Sequence, residues 1–536
     1  MSESSERLLL SGNAAVARAA RDCGVHLGIG YPGTPSTEIL ENFSKLGGYA
    51  EWAPNEKVAL EVGIGAAFGG AAALVTMKHV GLNVAADPLF TAAYTGVSGA
   101  LVIVSADDPG MHSSQNEQDN RHYAKAAGIP MLEPSDSQEA YDVAREAFRL
   151  SHRQQIPVLL RLTTRISHSQ TVLRCSDSVS ITEPKAFERD MQGRVMIPGY
   201  ARPAHRRLRA KLAVIQQENE TSPLNFVVEG SSSLGIIASG VSYVHAREAA
   251  PEASFLKLTT TYPLPFSLIR KFAGSVDRCV VIEEGDPYLV ESVRANGIPV
   301  EGKGEGYRFG ELNVRLVRSI MAQKPAPEPA VSKGKPPQLC PGCSHRTVFA
   351  TLSRQNCIVA GDIGCYTLGV LPPFETMDSC ICMGASIGVG LGLRHVLPRE
   401  EAKRVVSVIG DGTFVHSGIT GLIEMVYNPP PTGHVVLILD NGTTAMTGMQ
   451  EHPGTGKALD HSPAAKLSFE DLAKAIGITR VHVIDPIKEM RRFSDVLSEC
   501  LESGELAVII ARRPCLLAEE KSARKERATI SETCIT

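Results

Sequence analysis

No excess of positive charge runs through this sequence: 54 Lys and Arg against 58 Asp and Glu give a formal net charge of −4 over 536 residues. That leaves no electrostatic footprint for nucleic acid, and the one basic run, Arg202 to Lys211 (RPAHRRLRAK), reads as a solvated loop or helix face. Long apolar runs are missing too. The stretch Gly63 to Met77 is interrupted by glycines and falls short of the roughly 18 residues a membrane span needs, so it reads as a buried helix running into a strand. The opening MSESSERLLLSGNAAVARAA places acids ahead of only three leucines, without the basic and apolar regions of a secretory signal. A cytoplasmic protein is therefore expected, with its 12 cysteines as reduced thiols or metal ligands rather than disulfides. Aromatic residues make up only 5%, whereas there are 48 glycines. That balance suits an α/β fold with tight turns and close backbone approaches.

What is present is an alternation of helical patterns with short β-branched runs. VHLGIGYPG, AALVTMKHV, ALVIVSADDPG and PVLLRLTT each look like a strand ending in a turn, the pattern of a parallel sheet covered by helices, over residues 1–185. Residues 186–225 are polar and aperiodic and read as a connector. A second α/β unit, 226–322, is expected from LGIIASG, SFLKLTT and RCVVIEEG, closing with a short helix. The Pro/Ala/Lys stretch 323–337 has the composition of an extended linker. A third α/β domain, 338–515, is built on RVVSVIGDG and HVVLILDNG, and 516–536 form a charged tail.

Those last two strands carry the most specific signal. Gly410-Asp411-Gly412 follows one and Asp440-Asn441-Gly442-Thr443 ends the other, with a helix expected from near Thr413 between them. In a right-handed βαβ unit both turns emerge at the carboxyl edge of the sheet, so Asp411 and Asn441 can converge. An Asp carboxylate, an Asn amide oxygen and a backbone carbonyl near Thr443 suit octahedral Mg²⁺ completed by a diphosphate. Glycines and a helix N-terminus favour the phosphates. A dinucleotide site would want G-x-G-x-x-G, which is absent here. The pair of loops resembles the diphosphate motif of thiamine diphosphate enzymes. That resemblance implies a carboxylate on the aminopyrimidine ring, for which Glu56, at the head of NEKVALEVGIGAAF behind Pro54 and Asn55, is the candidate and Glu61 the alternative.

Longer passages carry the resemblance further: GYPGTPSTEILE, TMKHVGLNVAADPL, SSQNEQDNRHYAKAAGIPMLEPSD, LCPGCSHR, GDIGCYTLG, CICMGASIG and LDNGTTAMTGMQEHPGTG. In that order they resemble the alpha subunit of the indolepyruvate branch of the 2-oxoacid:ferredoxin oxidoreductases. The resemblance implies a thiamine diphosphate-binding α/β fold. Residues 1–185 would bind the aminopyrimidine, 338–515 the diphosphate and Mg²⁺, and 226–322 would be similar to the transketolase C-terminal domain. It also implies oxidative decarboxylation of an aryl 2-oxoacid such as indolepyruvate to the acyl-coenzyme A. Thr34 and His79 would line the substrate, with Arg121 and His122 as further lining candidates. Gly364, Cys365 and Met383 would lie at the cofactor beside Gly410, Asp411, Gly412, Asn441 and Thr443.

Nine of the 12 cysteines stand at or after Cys340. The resemblance implies a [4Fe–4S] cluster on Cys340, Cys343, Cys365 and Cys515; four thiols also suit a structural zinc site. Cys380 and Cys382, at the head of a small-residue helix, are expected to pack near the cofactor instead. Only 21 residues follow Cys515, where relatives continue into a ferredoxin-like module. Electrons are accordingly expected to leave through a gamma-type small subunit, ferredoxin or another carrier, within a hetero-oligomer built on an alpha-subunit dimer. The alternative is a non-oxidative thiamine diphosphate-dependent decarboxylase or carboligase.

Overall fold

The computed structural model describes residues 7–184, 186–328 and 337–519. The chain divides between residues 330 and 331 into two compact units. In the first, seven strands form one sheet in the order Thr260–Tyr262, Met131–Leu132, Val158–Thr163, Ala100–Asp107, Ala72–Lys78, Leu27–Gly30, Ala50–Trp52. All pairs are parallel except the one made by Thr260–Tyr262. Ala100–Asp107 and Val158–Thr163 are buried along their whole length, as a sheet covered on both faces requires. A four-stranded sheet follows, ordered Cys279–Ile282, Ser231–Ala238, Ala253–Lys257, Phe226–Val228.

Two segments differ from the sequence reading. SFLKLTT is expected to be one strand, but the chain leaves the four-stranded sheet after Lys257 and pairs Thr260 with Leu132 of the seven-stranded sheet. Asn225 secures that crossing, accepting hydrogen bonds from the Thr259 and Thr260 N–H groups at 3.1 Å each. Within 186–225 lies a 22-residue helix, Pro198–Asn219. Its buried positions Ala204, Leu208, Leu212, Ile215 and Asn219 recur at steps of three and four, a stripe too narrow to stand out among so many charged residues. The basic run lies on this helix.

The second unit is a six-stranded, wholly parallel sheet ordered Ser379–Cys380, Ile358–Gly361, Val405–Gly410, His434–Asp440, Leu506–Arg512, Arg480–Ile484. Alternation along the strands feeds two cores: Val435 and Leu437 join one, Val436 and Ile438 the other. Because the strands are parallel, the turns after Gly361, Gly410, Asp440 and Arg512 all leave from one edge. Ligands of open α/β sheets bind at that edge. Most of the Pro-rich stretch 323–337, the tail beyond 519 and Cys534 lie outside the described residues.

Candidate functional site

At the carboxyl edge of the six-stranded sheet the two expected loops meet. Asp411 is 3% exposed. Its Oδ1 accepts from the Gly412 N–H at 2.8 Å and its Oδ2 from the Gly442 N–H at 2.7 Å, across the 31 positions that separate the loops. The helix begins at Asp411 itself, two residues earlier than expected, and passes through a π-helical turn at Phe414–Gly418 before Ile419–Tyr427. Asn441 Oδ1 accepts from the Thr443 N–H at 3.1 Å, and buried Thr443 donates its hydroxyl to the Gln450 carbonyl at 3.2 Å.

GDIGC packs onto the same turn. Asp362, fully buried, accepts from the N–H groups of Ile363, Gly384 and Ser386, and so holds the head of the helix Ala385–Val396. Burial still pushes its carboxyl up. The Ile363 carbonyl accepts from both the Tyr366 and Thr413 hydroxyls at 2.9 Å. A Cβ on Gly410 would stand 2.6 Å from the Tyr366 ring and one on Gly364 2.4 Å, so both positions must be glycine for the ring to lie there. Met383, directly before Gly384 with its φ of +87°, is half-buried.

Beside this turn a cavity of about 90 Å³ is lined by Cys340, Cys343, Cys365 and Cys515, together with Asn441, His345, Leu339, Leu368 and Leu516. The four thiols come from three separate segments. Burial, reinforced by its neighbours Cys343, Cys515 and Cys340, pushes the Cys365 thiol up to about 11, and burial raises Cys343 as well. A bound cation reverses that direction for any thiol it ligates, and four soft thiols lining one apolar pocket suit an iron–sulfur cluster. Cys380 and Cys382 are not among the lining residues; Cys380 packs against one of the two cores and Cys382 is exposed. The Asp411–Gly412 turn fits an anionic ligand in its own way. Thr444 Oγ1 and His452 Nε2 are buried there without hydrogen-bond partners, Thr444 Oγ1 lying 3.0 Å from a Cβ built on Gly412. A buried polar atom left so costs about 1–3 kcal/mol.

In the first unit, Glu56 is 5% exposed and opens the helix Glu56–Phe68, whose Asn55 cap accepts from the Val58 N–H at 2.9 Å. Glu61 is half-exposed and paired with Lys57. The Glu56 carboxylate lies against Gly81, where a Cβ would stand 2.5 Å from Oε1. Two residues before Gly81, His79 is fully buried; its Nε2 is 3.2 Å from the Asn116 carbonyl, and burial lowers its basicity. Thr34 is half-buried, its carbonyl accepting from the Ser113 hydroxyl at 3.4 Å. The segment Ser113–Asn120 thus ties to both Thr34 and His79. Lys78, which donates to the Ser113 carbonyl at 2.6 Å and is brought by burial down to about 8, was not singled out by the sequence; it falls inside the quoted TMKHVGLN.

The structure commits Arg121 to partners within the protein. It is fully buried and its guanidinium is taken up by Asp119, Glu283 and the carbonyls of Glu284 and Asp286. His122 is half-exposed, 3.3 Å from Asp286 and edge-on to Tyr288. No described helix is long and apolar enough to cross a membrane.

Known proteins divide over the chain as these two sites do. The family of thiamine pyrophosphate enzymes, C-terminal TPP binding domain, matches residues 362–511, and the thiamine diphosphate-binding family of pyruvate flavodoxin/ferredoxin oxidoreductases matches 18–229. Similar over nearly the whole length are the indolepyruvate oxidoreductase subunit IorA of Archaeoglobus fulgidus, 41% identical over 97% of this chain and 88% of that protein, and that of Methanothermobacter thermautotrophicus, 39% identical over 99% and 90%. Among solved structures, 2-oxoglutarate:ferredoxin oxidoreductase from Magnetococcus marinus shares the fold, with a TM-score of 0.51 at 17% identity, over 60% of this chain and 66% of that one.

Proposed function

The chain belongs to the thiamine diphosphate-dependent 2-oxoacid:ferredoxin oxidoreductase family, among the IorA subunits of indolepyruvate oxidoreductase, and on that premise we propose that it oxidatively decarboxylates an aryl 2-oxoacid of the indolepyruvate kind to its acyl-coenzyme A. When bound, thiamine diphosphate supplies the carbon nucleophile and electron sink for that chemistry. Asp411, Asn441 and the Thr443 backbone would hold Mg²⁺ and with it the diphosphate, while Gly410 and Gly412 allow the backbone close to the phosphates. Glu56 would hold a proton at the aminopyrimidine ring, a role its buried position at a helix head suits. Thr34 and His79 would orient the substrate carboxylate and carbonyl. Cys340, Cys343, Cys365 and Cys515 would carry a [4Fe–4S] cluster that passes electrons to ferredoxin or another carrier, with a gamma-type small subunit completing the hetero-oligomer.

The observation that supports this reading over a non-oxidative thiamine enzyme is the single cavity that all four thiols and Asn441 line. A cluster on those thiols would stand beside Asn441, one of the residues that would hold the Mg²⁺ and diphosphate. The test is anaerobic purification of the chain with its small partner. We expect a brown protein with about four iron and four sulfide per chain, and acyl-coenzyme A formation only when an electron acceptor is present. Glu56→Gln is expected to lower turnover by about 10²- to 10⁴-fold. A colourless protein that releases aldehyde from the 2-oxoacid without an acceptor would overturn the oxidative reading.

A further inference from the structure

His452, in GMQEHPGTG, is a buried imidazole that the loops described so far leave without a task. Its ring is fixed from both sides. Nδ1 accepts the Gly454 N–H at 3.1 Å, and a Cβ at Gly454 would stand 2.9 Å from the ring's Cε1 and 2.5 Å from Phe469. The Thr455 N–H and hydroxyl both bind the His452 carbonyl, at 2.8 and 2.9 Å, and the Leu467 N–H binds that of Pro453. A ring nitrogen that accepts a hydrogen bond carries no proton, so in the neutral ring the proton sits on Nε2. That Nε2 is sealed from solvent and has no hydrogen-bond partner. It lies 3.3 Å from Asp411 Oδ2, an oxygen already committed to the Gly442 N–H at 2.7 Å. The neighbouring Cδ2 is 3.7 Å from a Cβ built on Gly412.

We propose that His452 is a direct contact of the cofactor's diphosphate, donating its Nε2–H to a phosphate oxygen at the Asp411–Gly412 turn. The inference rests on the thiamine diphosphate reading above. The protein offers this dried donor only Asp411 Oδ2, 3.3 Å away, not hydrogen-bonded to it and already engaged by the Gly442 N–H, so the Nε2–H is left for a better-placed acceptor at the turn between the glycines. A phosphate oxygen provides one and makes the stronger, charge-assisted bond. Thr444 Oγ1, unpartnered at the same turn, is positioned as its companion.

The test is calorimetric titration of the anaerobic, partner-bound protein with thiamine diphosphate and, separately, with inorganic pyrophosphate, each with Mg²⁺. Pyrophosphate reports the phosphate contacts alone. His452→Phe is expected to weaken both ligands by a similar factor, about ten- to a hundredfold for one lost charge-assisted hydrogen bond. His452→Gln, which keeps an N–H near the same place, is expected to recover much of the loss. The phosphorus resonance of the bound diphosphate should move in the Phe variant and less in the Gln variant. A merely structural histidine predicts equal losses in both variants, and that outcome, like no loss in either, overturns the proposal while wild-type binding keeps the cofactor reading intact. Absence of thiamine diphosphate binding by the wild type would instead overturn the reading on which it rests.

Discussion

Gly81 shows how one absent carbon can hold a carboxylate. A Cβ there would come within 2.5 Å of Glu56 Oε1 and 2.7 Å of its Cγ, so an added methyl group would press on the Glu56 side chain. Gly81→Ala should therefore act on Glu56 before it acts on the fold. We expect turnover to fall by about tenfold or more, since small misplacements of a reacting group are expensive, with a stability loss of about 1–3 kcal/mol for overpacking; paired activity and denaturant measurements check both. Glu284 is a second residue with a measurable signature. It is fully buried, its Oε1 accepting from the Leu312 N–H at 2.9 Å, and burial pushes its carboxyl from an ordinary 4.5 up to about 7. Its folded-state value is raised, so the unfolded chain releases this proton first. The contribution is full below about 4.5 and is lost as pH rises toward 7, amounting to about 3 kcal/mol at most. Urea midpoints at pH 5 and 7.5 should differ less in Glu284→Gln than in the wild type.

At the scale of elements, Arg121 joins the helix Arg121–Ala127 to the end of the strand Cys279–Ile282 of the other sheet, through Glu283 at 2.7 Å. Asp119 and Arg161 extend the same buried cluster. Removing one member of a buried pair leaves a charge without its partner, so Arg121→Ala is expected to cost about 3–5 kcal/mol in chemical denaturation. A loss of substrate binding with stability unchanged would return Arg121 to the lining role the sequence suggested. The buried role was not legible for a physical reason: DNRH gives the charge and one partner, Asp119, but Glu283, the second carboxylate on the guanidinium, lies 162 positions away. The parallel strands were legible because burial on both faces writes them as unbroken apolar runs. Glycine-acid turns at their ends were legible because strand, turn and helix are contiguous. The helix Pro198–Asn219 was not, since one buried stripe among so many Arg and Lys residues reads as a polar connector. Nor was the task of His452, whose meaning depends on which way a folded loop turns its ring.

Across the whole molecule, the thiols of the second unit are drawn from near both of its ends. Cys340 precedes its first helix, Ser344–Arg354, and Cys515 follows its last strand, Leu506–Arg512. Any cluster on the four cysteines would close nearly the entire unit into a loop, and closing a long loop restricts the unfolded chain most. Anaerobic reconstitution with iron and sulfide is thus expected to raise the unfolding temperature, and Cys515→Ala to abolish the rise; scanning calorimetry of both proteins, before and after reconstitution, decides it. The same segment is bound to the loop Asp440–Thr443 through the backbone, the Arg513 N–H to the Asp440 carbonyl at 2.9 Å and the Cys515 N–H to the Asn441 carbonyl at 3.0 Å, and through the Arg512 guanidinium on the Asp440 carboxylate at 2.6 Å. Whatever orders one of these strands of backbone orders the other. By thermodynamic reciprocity, damage at the thiols would then loosen the loop Asp440–Thr443, and any ligand that steadies that loop would shield a cluster on the thiols.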